Sequence, residues 1–132
     1  MSSNTKRVPL KSVEPPEPRA KQGVLNALTI DVEEYFQVSG FEGIVPRHQW
    51  DSIPTRVGPP TERLLEMLAT AGVRATFFVL GWLAERQPSL VRAIHAAGHD
   101  IATHGYAHRL VYTQSPAEFR SDLRRSIRAL ED

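Results

Sequence analysis

Three short apolar runs alternate with longer amphipathic segments along the chain. The apolar runs lie at residues 24–30, 74–80 and 100–103, and the second is rich in β-branched and aromatic side chains. Near-continuous apolar runs of this length are typical of strands that are buried on both faces, as in parallel sheets. We therefore predict three short strands, separated by the polar and amphipathic segments between them.

The amphipathic segments predict three helices, over residues 61–71, over 88–97 and from 115 onward. Pro88 suits the first position of the second helix, and Gly72 and Gly98 suit the ends of the first two. Ser115 and Glu118 form a capping box at the start of the third. The apolar stripes comprise Leu64, Leu65, Leu68 and Ala71; Leu90, Val91 and Ile94; and Phe119, Leu123, Ile127 and Leu130. This alternation predicts an α/β fold of three β–α units with a parallel sheet and right-handed crossovers.

Acids follow the first predicted strand, and histidines follow the third. Asp31, Glu33 and Glu34 come directly after residues 24–30, whereas His104 and His108 come after residues 100–103. In parallel α/β folds the carboxyl ends of the strands share one edge of the sheet, where ligand and catalytic sites lie. We therefore expect these acids and histidines to meet on the same rim.

Each of these groups also has a purely structural interpretation. The acids could begin a solvated loop, and two histidines four residues apart could both lie on the surface. Against this, Asp31 ends an apolar run, so we expect its carboxylate to be partly desolvated and to need a partner. Two imidazoles and one carboxylate suit Zn²⁺ or a similar divalent ion, and a second carboxylate can serve as general base. The combination indicates metal-assisted hydrolysis.

The overall composition excludes several other classes of protein. Among 132 residues, 16 are Lys or Arg and 15 are Asp or Glu, so the net charge of +1 gives no reason to expect a nucleic-acid partner. The chain has no cysteine, which excludes disulfides and thiolate metal sites. It has no apolar stretch long enough to span a membrane and no apolar signal region, so we expect a cytoplasmic location.

The two ends of the chain differ in character. Residues 1–22 hold four of the ten prolines, five basic residues and no aromatic residue. Such a segment cannot bury enough apolar surface to offset its chain entropy, so we predict a disordered leader over residues 1–22. The folded part is then predicted to span residues 23–132.

Four pieces of this sequence together match a known pattern: LTIDVE at residues 28–33, ATFFV at 75–79, GHDIATH at 98–104, and His108. These pieces resemble the polysaccharide deacetylases of the NodB-homology type, also called carbohydrate esterase family 4. They occur in the family's order and cover most of residues 26–132. The run at 31–36 and the segment up to Trp50 look most like the subfamily found beside exosortase (PEP-CTERM) exopolysaccharide loci.

The resemblance implies a role for each matching residue. Asp31 matches the catalytic base of the family, and His104 and His108 match its two metal-binding histidines. The common pattern has two adjacent aspartates, but position 32 is a valine here, so Glu33 is the expected acidic ligand and Glu34 the fallback. The implied reaction is removal of acetyl from an N-acetylated polysaccharide, with Zn²⁺, Co²⁺ or another divalent ion as cofactor.

The resemblance also implies that this chain is the N-terminal part of a distorted (β/α) barrel. An α/β barrel typically needs about 250 residues, and the later family motifs, including a late histidine acting as general acid, have no counterpart here. We therefore expect the 132-residue chain to be inactive alone. We expect it to need a missing C-terminal half, or to self-associate through open sheet edges.

Three alternative functions are weighed against a deacetylase. A non-catalytic half could bind metal or glycan, and the same fold could hydrolyse another amide, such as a ureide ring or a peptidoglycan amide. A phosphoacceptor signalling domain also alternates strands and helices, but it needs an aspartate ending the third strand and a later lysine. Here that strand ends at Thr103, and no lysine follows Lys21, which argues strongly against this alternative.

Aromatic residues near the predicted rim have two interpretations. The long connection at residues 35–58 either covers the end of the barrel, which we favour, or forms a wall on which sugar rings stack. The candidate sugar-binding residues are Tyr35, Phe36, Trp50 and Tyr106. We expect Trp82 to pack at the rim, and His95 and His99 to be structural.

Overall fold

The computed structural model describes residues 26–132, so the leader predicted over residues 1–22 lies outside the described part. The strands are β1 (Thr29–Val32), β2 (Thr76–Val79) and β3 (Asp100–Thr103). The α-helices are α1 (Gly58–Ala71), α2 (Gly81–Arg86), α3 (Pro88–Ala96) and α4 (Pro116–Glu131). Short 3₁₀ turns lie at Ser39–Phe41, Arg47–Ser52 and Val111–Thr113.

The three strands form one parallel sheet in the order β1-β2-β3. Ile30 pairs with Phe77, which in turn pairs with Ile101, so the carboxyl ends of the strands lie at one edge. The central strand is the most deeply buried, and Phe77 and Val79 have no exposed surface. The predicted α/β class, with three strands in a parallel sheet, is therefore confirmed.

The first strand differs from its prediction. Residues 24 and 25 of the predicted strand lie outside the described part, residues 26–28 precede the observed strand, and that strand extends to Val32, so Asp31 lies within the strand and not after it. Thr29 and Asp31 are exposed, whereas Val32 is buried. The expectation that Asp31 is desolvated and partnered is wrong for the described residues, because β1 has a neighbouring strand on only one side and alternate side chains face outward.

Helices α1 and α3 form where the apolar stripes predict them. Gly72 ends α1 in the left-handed conformation with φ of 64°, and prolines occupy the first turns of both helices. Helix α2 has no periodic signal in the sequence, because six residues make less than two helical turns. Trp82 lies on α2 and is buried with its ring 5.6 Å from that of Trp50, so it belongs to the core.

Helix α4 begins with the predicted capping box, but its buried face only partly matches the predicted apolar stripe. Ser126 has no exposed surface and two members of the stripe, Leu123 and Leu130, are half-buried, whereas the other two, Phe119 and Ile127, are 39% and 38% exposed. The reason is a close approach of α4 to α2. A Cβ at Gly81 would lie 2.7 Å from the Cα of Ser126, so only small residues fit at this crossing. Along the described part of the chain, no helix has the length and apolar character needed to cross a membrane.

Candidate metal centre

One acid and two histidines converge at the carboxyl edge of the sheet. Glu33 directly follows β1, and His104 directly follows β3, with His108 one turn of loop further on. The Oε2 atom of Glu33 lies 3.1 Å from Nε2 of His108 and 3.8 Å from Nε2 of His104. One ligand atom from each residue lies within 4.8 Å of the other two. The topology thus brings together the three residues that the sequence predicted as ligands.

These three side chains fit a divalent cation. Buried polar atoms in proteins normally have hydrogen-bond partners, yet Oε2 of Glu33 and Nδ1 of His108 are buried and have none. Ligand atoms on a tetrahedral zinc ion, with bonds of 2.0–2.1 Å, lie about 3.4 Å apart. The observed separations of 3.1 and 3.8 Å fall on either side of that value. A cation between the three residues would satisfy the unpaired carboxylate oxygen.

The neighbouring acid Glu34 has a different, structural role. It is 2% exposed, and its Oε1 atom accepts hydrogen bonds from the backbone amides of Arg56 at 2.6 Å and Val57 at 3.0 Å. Those amides lie at the start of α1, where backbone N–H groups have no partner within the helix. Glu34 therefore caps this region and is not part of the cluster, so the fallback assignment of Glu34 as ligand is wrong.

Asp31 lies two residues before Glu33 at the same edge of the sheet. It pairs in register with Phe78 of β2, its side chain is exposed, and no described residue hydrogen bonds to its carboxylate. The structure therefore places a free carboxylate near the cluster without making it part of the cluster. Its role as a base stays a prediction.

The loop at residues 104–108 holds the two histidines by an unusual backbone path. Gly105 has φ of 76°, and His108 has φ of 49°, the only positive φ of a non-glycine residue in the described part of the chain. A left-handed conformation costs an L-residue about 1–2 kcal/mol, so surrounding contacts must hold His108 in place. The amides of Gly81 and Trp82 in α2 contribute, since they donate to the carbonyls of Gly105 and of residue 106 at 2.8 and 3.1 Å.

Two further residues contact this loop and were not predicted from the sequence. Asp122 of α4 accepts hydrogen bonds from two loop amides, and Arg47 donates to two loop carbonyls. Both contacts are with backbone groups, so no pairing of side-chain types marks them. The only sequence feature that could have indicated Asp122 is a single acid beside the apolar stripe of α4, and such acids are also common on solvent-exposed helices.

Three of the four candidate sugar-binding rings are buried. Phe36, Trp50 and Tyr106 are 1%, 3% and 7% exposed, so they present no open face on which a sugar could stack. Their assignment as stacking residues is wrong for this structure, because all three rings belong to the hydrophobic core. Their burial supports the favoured interpretation of the connection as a cover for the end of the barrel, which stays a prediction. Tyr35 is 53% exposed, and the guanidinium carbon of Arg56 lies 5.7 Å from the centre of its ring, so its role in stacking stays a prediction.

Tyr106 instead anchors the loop through a charged cluster. Its hydroxyl donates to Glu85 at 2.6 Å, and the guanidinium of Arg125 donates twice to Glu85 and lies 3.6 Å from the centre of the Tyr106 ring. Burial and the hydrogen bond to Glu85 raise the pKa of Tyr106 above its usual value. Burial acts to raise the pKa of Glu85, but hydrogen bonds from Arg125 and Tyr106 and nearby positive charge outweigh it and lower that pKa.

Comparison with known proteins identifies the family. The family model described as "Polysaccharide deacetylase" matches residues 49–132, more than half of the chain. The chain belongs to the polysaccharide deacetylase family. Among its relatives, the chitooligosaccharide deacetylase of Bradyrhizobium sp. (strain ANU 289) is 36% identical over 70 residues, which cover 53% of this chain and 32% of the relative. The peptidoglycan-N-acetylglucosamine deacetylase of Bacillus cereus is 36% identical over 63 residues, covering 48% and 23% respectively.

A solved structure of the polysaccharide deacetylase family extends the match to the fold. The family 4 carbohydrate esterase from Streptomyces lividans, determined in complex with acetate, superposes with a TM-score of 0.58 and 28% sequence identity. The match covers 80% of this chain and 43% of the esterase. The three-stranded sheet therefore corresponds to part of the barrel of this family, as the sequence predicted. The chain spans about a third or less of the length of the two curated relatives.

Proposed function

We propose that this chain carries the metal-binding part of a deacetylase that hydrolyses the acetamido group of an N-acetylated polysaccharide. The observation that supports this most directly is the convergence of Glu33, His104 and His108 around an unpaired, buried carboxylate oxygen. Membership of the polysaccharide deacetylase family provides the reaction class. Acetate, the molecule bound to the Streptomyces lividans esterase, is the product that such a reaction releases.

The side chains divide the chemical work between them. Glu33, His104 and His108 hold the cation, for which we propose Zn²⁺, since two nitrogen donors and one oxygen donor suit it. A bound divalent ion lowers the pKa of water and polarises a carbonyl oxygen. Asp31 accepts the proton of the attacking water as general base, and its exposed carboxylate at the same edge of the sheet is free to do so.

The same observations support the prediction that residues 1–132 alone release little acetate. A general base works best when hydrogen bonds orient it, and no described residue contacts the carboxylate of Asp31 in this way. The cation site itself is complete in its three protein ligands. We therefore expect metal binding by this chain without substantial turnover.

The reaction can be tested by transplanting this chain into an active relative. Residues 26–132 would replace the equivalent segment of the Bradyrhizobium chitooligosaccharide deacetylase, and acetate release from chitooligosaccharides would be measured with Zn²⁺. We expect the chimera to release acetate and Asp31→Asn in the chimera to reduce the rate by about 10²–10⁴-fold, the usual contribution of a general base. A Glu62→Gln chimera, altered at an exposed acid on α1, is the matched control and should keep its rate.

Three results would contradict parts of this proposal. A chimera that folds and binds one Zn²⁺ but releases no acetate would overturn the deacetylase and favour the non-catalytic metal-binding alternative. Acetate release that persists after Asp31→Asn would overturn the assignment of the base. Hydrolytic opening of a ureide ring, without release of acetate from the polysaccharide, would favour the other carbon–nitrogen hydrolase.

The substrate class is proposed more finely from two features. The relatives named above act on chitooligosaccharide and on peptidoglycan N-acetylglucosamine, and Tyr35 offers one exposed ring for a sugar. We propose an N-acetylglucosamine-containing exopolysaccharide, in keeping with the resemblance of residues 31–36 to the exosortase-locus subfamily. Comparison of acetate release from chitin, peptidoglycan and exopolysaccharide oligomers by the active chimera and its Tyr35→Ala variant tests this. The cytoplasmic location stays a prediction.

A further inference from the structure

The histidine loop is held by its backbone at every position between the two ligands. Each amide and each carbonyl of residues 105–107 has a hydrogen-bond partner, and the partners come from four separate segments of the chain. They are Thr103, Gly81 and Ser126 for residue 105, Asp122 and Trp82 for residue 106, and Asp122 and Arg47 for residue 107. Such complete pairing fixes the path of the backbone between His104 and His108.

Asp122 accepts hydrogen bonds from backbone amides of this loop. Its Oδ2 accepts from the amide of Tyr106 at 2.7 Å, and its Oδ1 accepts from the amide of Ala107 at 3.2 Å. A Cβ at position 105 would lie 3.2 Å from Oδ2, and φ there is 76°, so glycine allows the carboxylate to come this close. Because each oxygen accepts a hydrogen bond from a different amide, this pair of contacts needs both oxygens of a carboxylate.

Arg47 donates hydrogen bonds to backbone carbonyls of the same loop. Its Nε donates to the carbonyl of Ala107 at 2.7 Å, and its Nη2 donates to the carbonyl of His108 at 3.1 Å. Glu42 forms an ion pair with the third guanidinium nitrogen, Nη1, and so fixes the orientation of the Arg47 side chain. The second of these bonds acts on the residue with the strained φ of 49°, which supports its role in keeping His108 in that conformation.

We propose that Asp122 and Arg47 are positioning residues that set the separation of the two histidine ligands. Neither residue is a member of the cation cluster, and both hydrogen bond to the backbone of the loop that carries its two histidines. The inference rests on the proposed function, since it presumes that the cluster binds a divalent ion. Its physical basis is that a ligand held in its binding geometry before the ion arrives loses less conformational entropy when the ion binds.

The experiment measures the affinity of the purified chain for Zn²⁺ by calorimetry, at a temperature well below unfolding. Asp122→Asn keeps the size of the side chain, but its amide nitrogen cannot accept a hydrogen bond, so one loop amide loses its partner. We expect binding to weaken by about 10–100-fold, the usual effect of residues that orient metal ligands. Glu131→Gln makes the same change of charge on an exposed residue of α4 and should leave affinity unchanged.

A second variant keeps the proposal testable if Asp122→Asn does not fold. Arg47→Lys preserves the charge but cannot reach two carbonyls with one ammonium group, so we expect an affinity loss of several-fold and an altered absorption spectrum of the Co²⁺ form. Unchanged affinity and spectrum in the folded variants would overturn the positioning role while leaving the proposed function intact. Failure of the unaltered chain to bind Zn²⁺ would instead overturn both proposals.

Discussion

The two ends of β3 carry histidines in opposite environments. His99, just before the strand, is 5% exposed, its Nδ1 accepts a hydrogen bond from the amide of Ala75 at 3.3 Å, and its ring lies 5.0 Å from that of Phe77. His104, just after the strand, keeps 26% of its side chain exposed and faces the carboxylate of Glu33. A histidine that is buried and hydrogen bonded serves the fold, whereas one that is open and faces an unpaired acid is suited to bind a ligand.

The largest expected effect is at the carboxyl end of the strand. His104→Ala or His108→Ala should weaken Zn²⁺ binding by more than about 100-fold, since each removes a ligand directly rather than a group that orients one. The unfolding transition without metal should move little, because both side chains are partly exposed. Calorimetric titration and urea unfolding of the same samples check the two statements. Tight, one-to-one Zn²⁺ binding by either variant would show that the cluster is not the metal site.

The opposite pattern is expected at the amino end. His99→Ala should lower the free energy of unfolding by about 2–4 kcal/mol, because it leaves a cavity beside Phe77 and an unpaired amide at Ala75. Zn²⁺ affinity of the folded variant should not change. His95→Ala, which alters an exposed histidine of α3, is the control and should be neutral in both measurements. Equal stability of the His99 and His95 variants would break the distinction drawn between the two ends of β3.

The adjacent residues Glu33 and Glu34 allow the same comparison between a metal-binding role and a structural role. Glu34→Ala should cost about 1–3 kcal/mol of stability, because two amides at the start of α1 lose their acceptor, without loss of metal. Glu33→Ala should abolish tight Zn²⁺ binding with little loss of stability. Urea unfolding in the presence of a chelator, together with Zn²⁺ titration, separates the two roles. Loss of Zn²⁺ binding in the Glu34 variant would show that Glu34 is a metal ligand after all.

The smallest effect concerns the pH dependence of stability around Tyr106. The lowered pKa of Glu85 means that its ion pair stabilises the fold above the ordinary carboxyl range, and that this contribution fades as pH falls through the folded-state value. The raised pKa of Tyr106 means that its contribution is present below about pH 10 and fades as pH rises through the folded-state value.

Removing the charge of Glu85 tests this pH dependence. Glu85→Gln should flatten both limbs of the curve of melting temperature against pH, by less than about 5 °C because the pair is partly exposed. Asp51→Asn, which alters an exposed acid paired with Arg86, is the matched control and should leave the alkaline limb unchanged. An unchanged curve in the Glu85 variant would show that this cluster does not contribute to folding.

Sequence patterns were sufficient for single elements and for the edge that parallel strands share. The apolar run at 100–103 predicted β3, the stripe containing Ile94 predicted α3, and the topology of parallel strands brought Glu33 to His104 and His108. They were insufficient for individual packing and hydrogen-bond contacts between distant segments, which the sheet topology does not determine. The face of α4 that is buried depends on the close approach of this helix to Gly81. Asp122 hydrogen bonds to backbone amides, and these contacts cannot be predicted from side-chain types because every residue type except proline has an amide N–H.

The crossing of α2 and α4 makes position 81 unusually intolerant of change. Alanine is ordinarily favoured over glycine in a helix by about 1 kcal/mol. Here a single methyl group would meet the backbone of Ser126 and push α4 away from the loop whose amides Asp122 accepts. A substitution that improves helix propensity would thus loosen the candidate metal centre, although no atom of residue 81 belongs to it. Variant effects at this position have to be judged by the distance between the helices rather than by the distance from Glu33, His104 and His108.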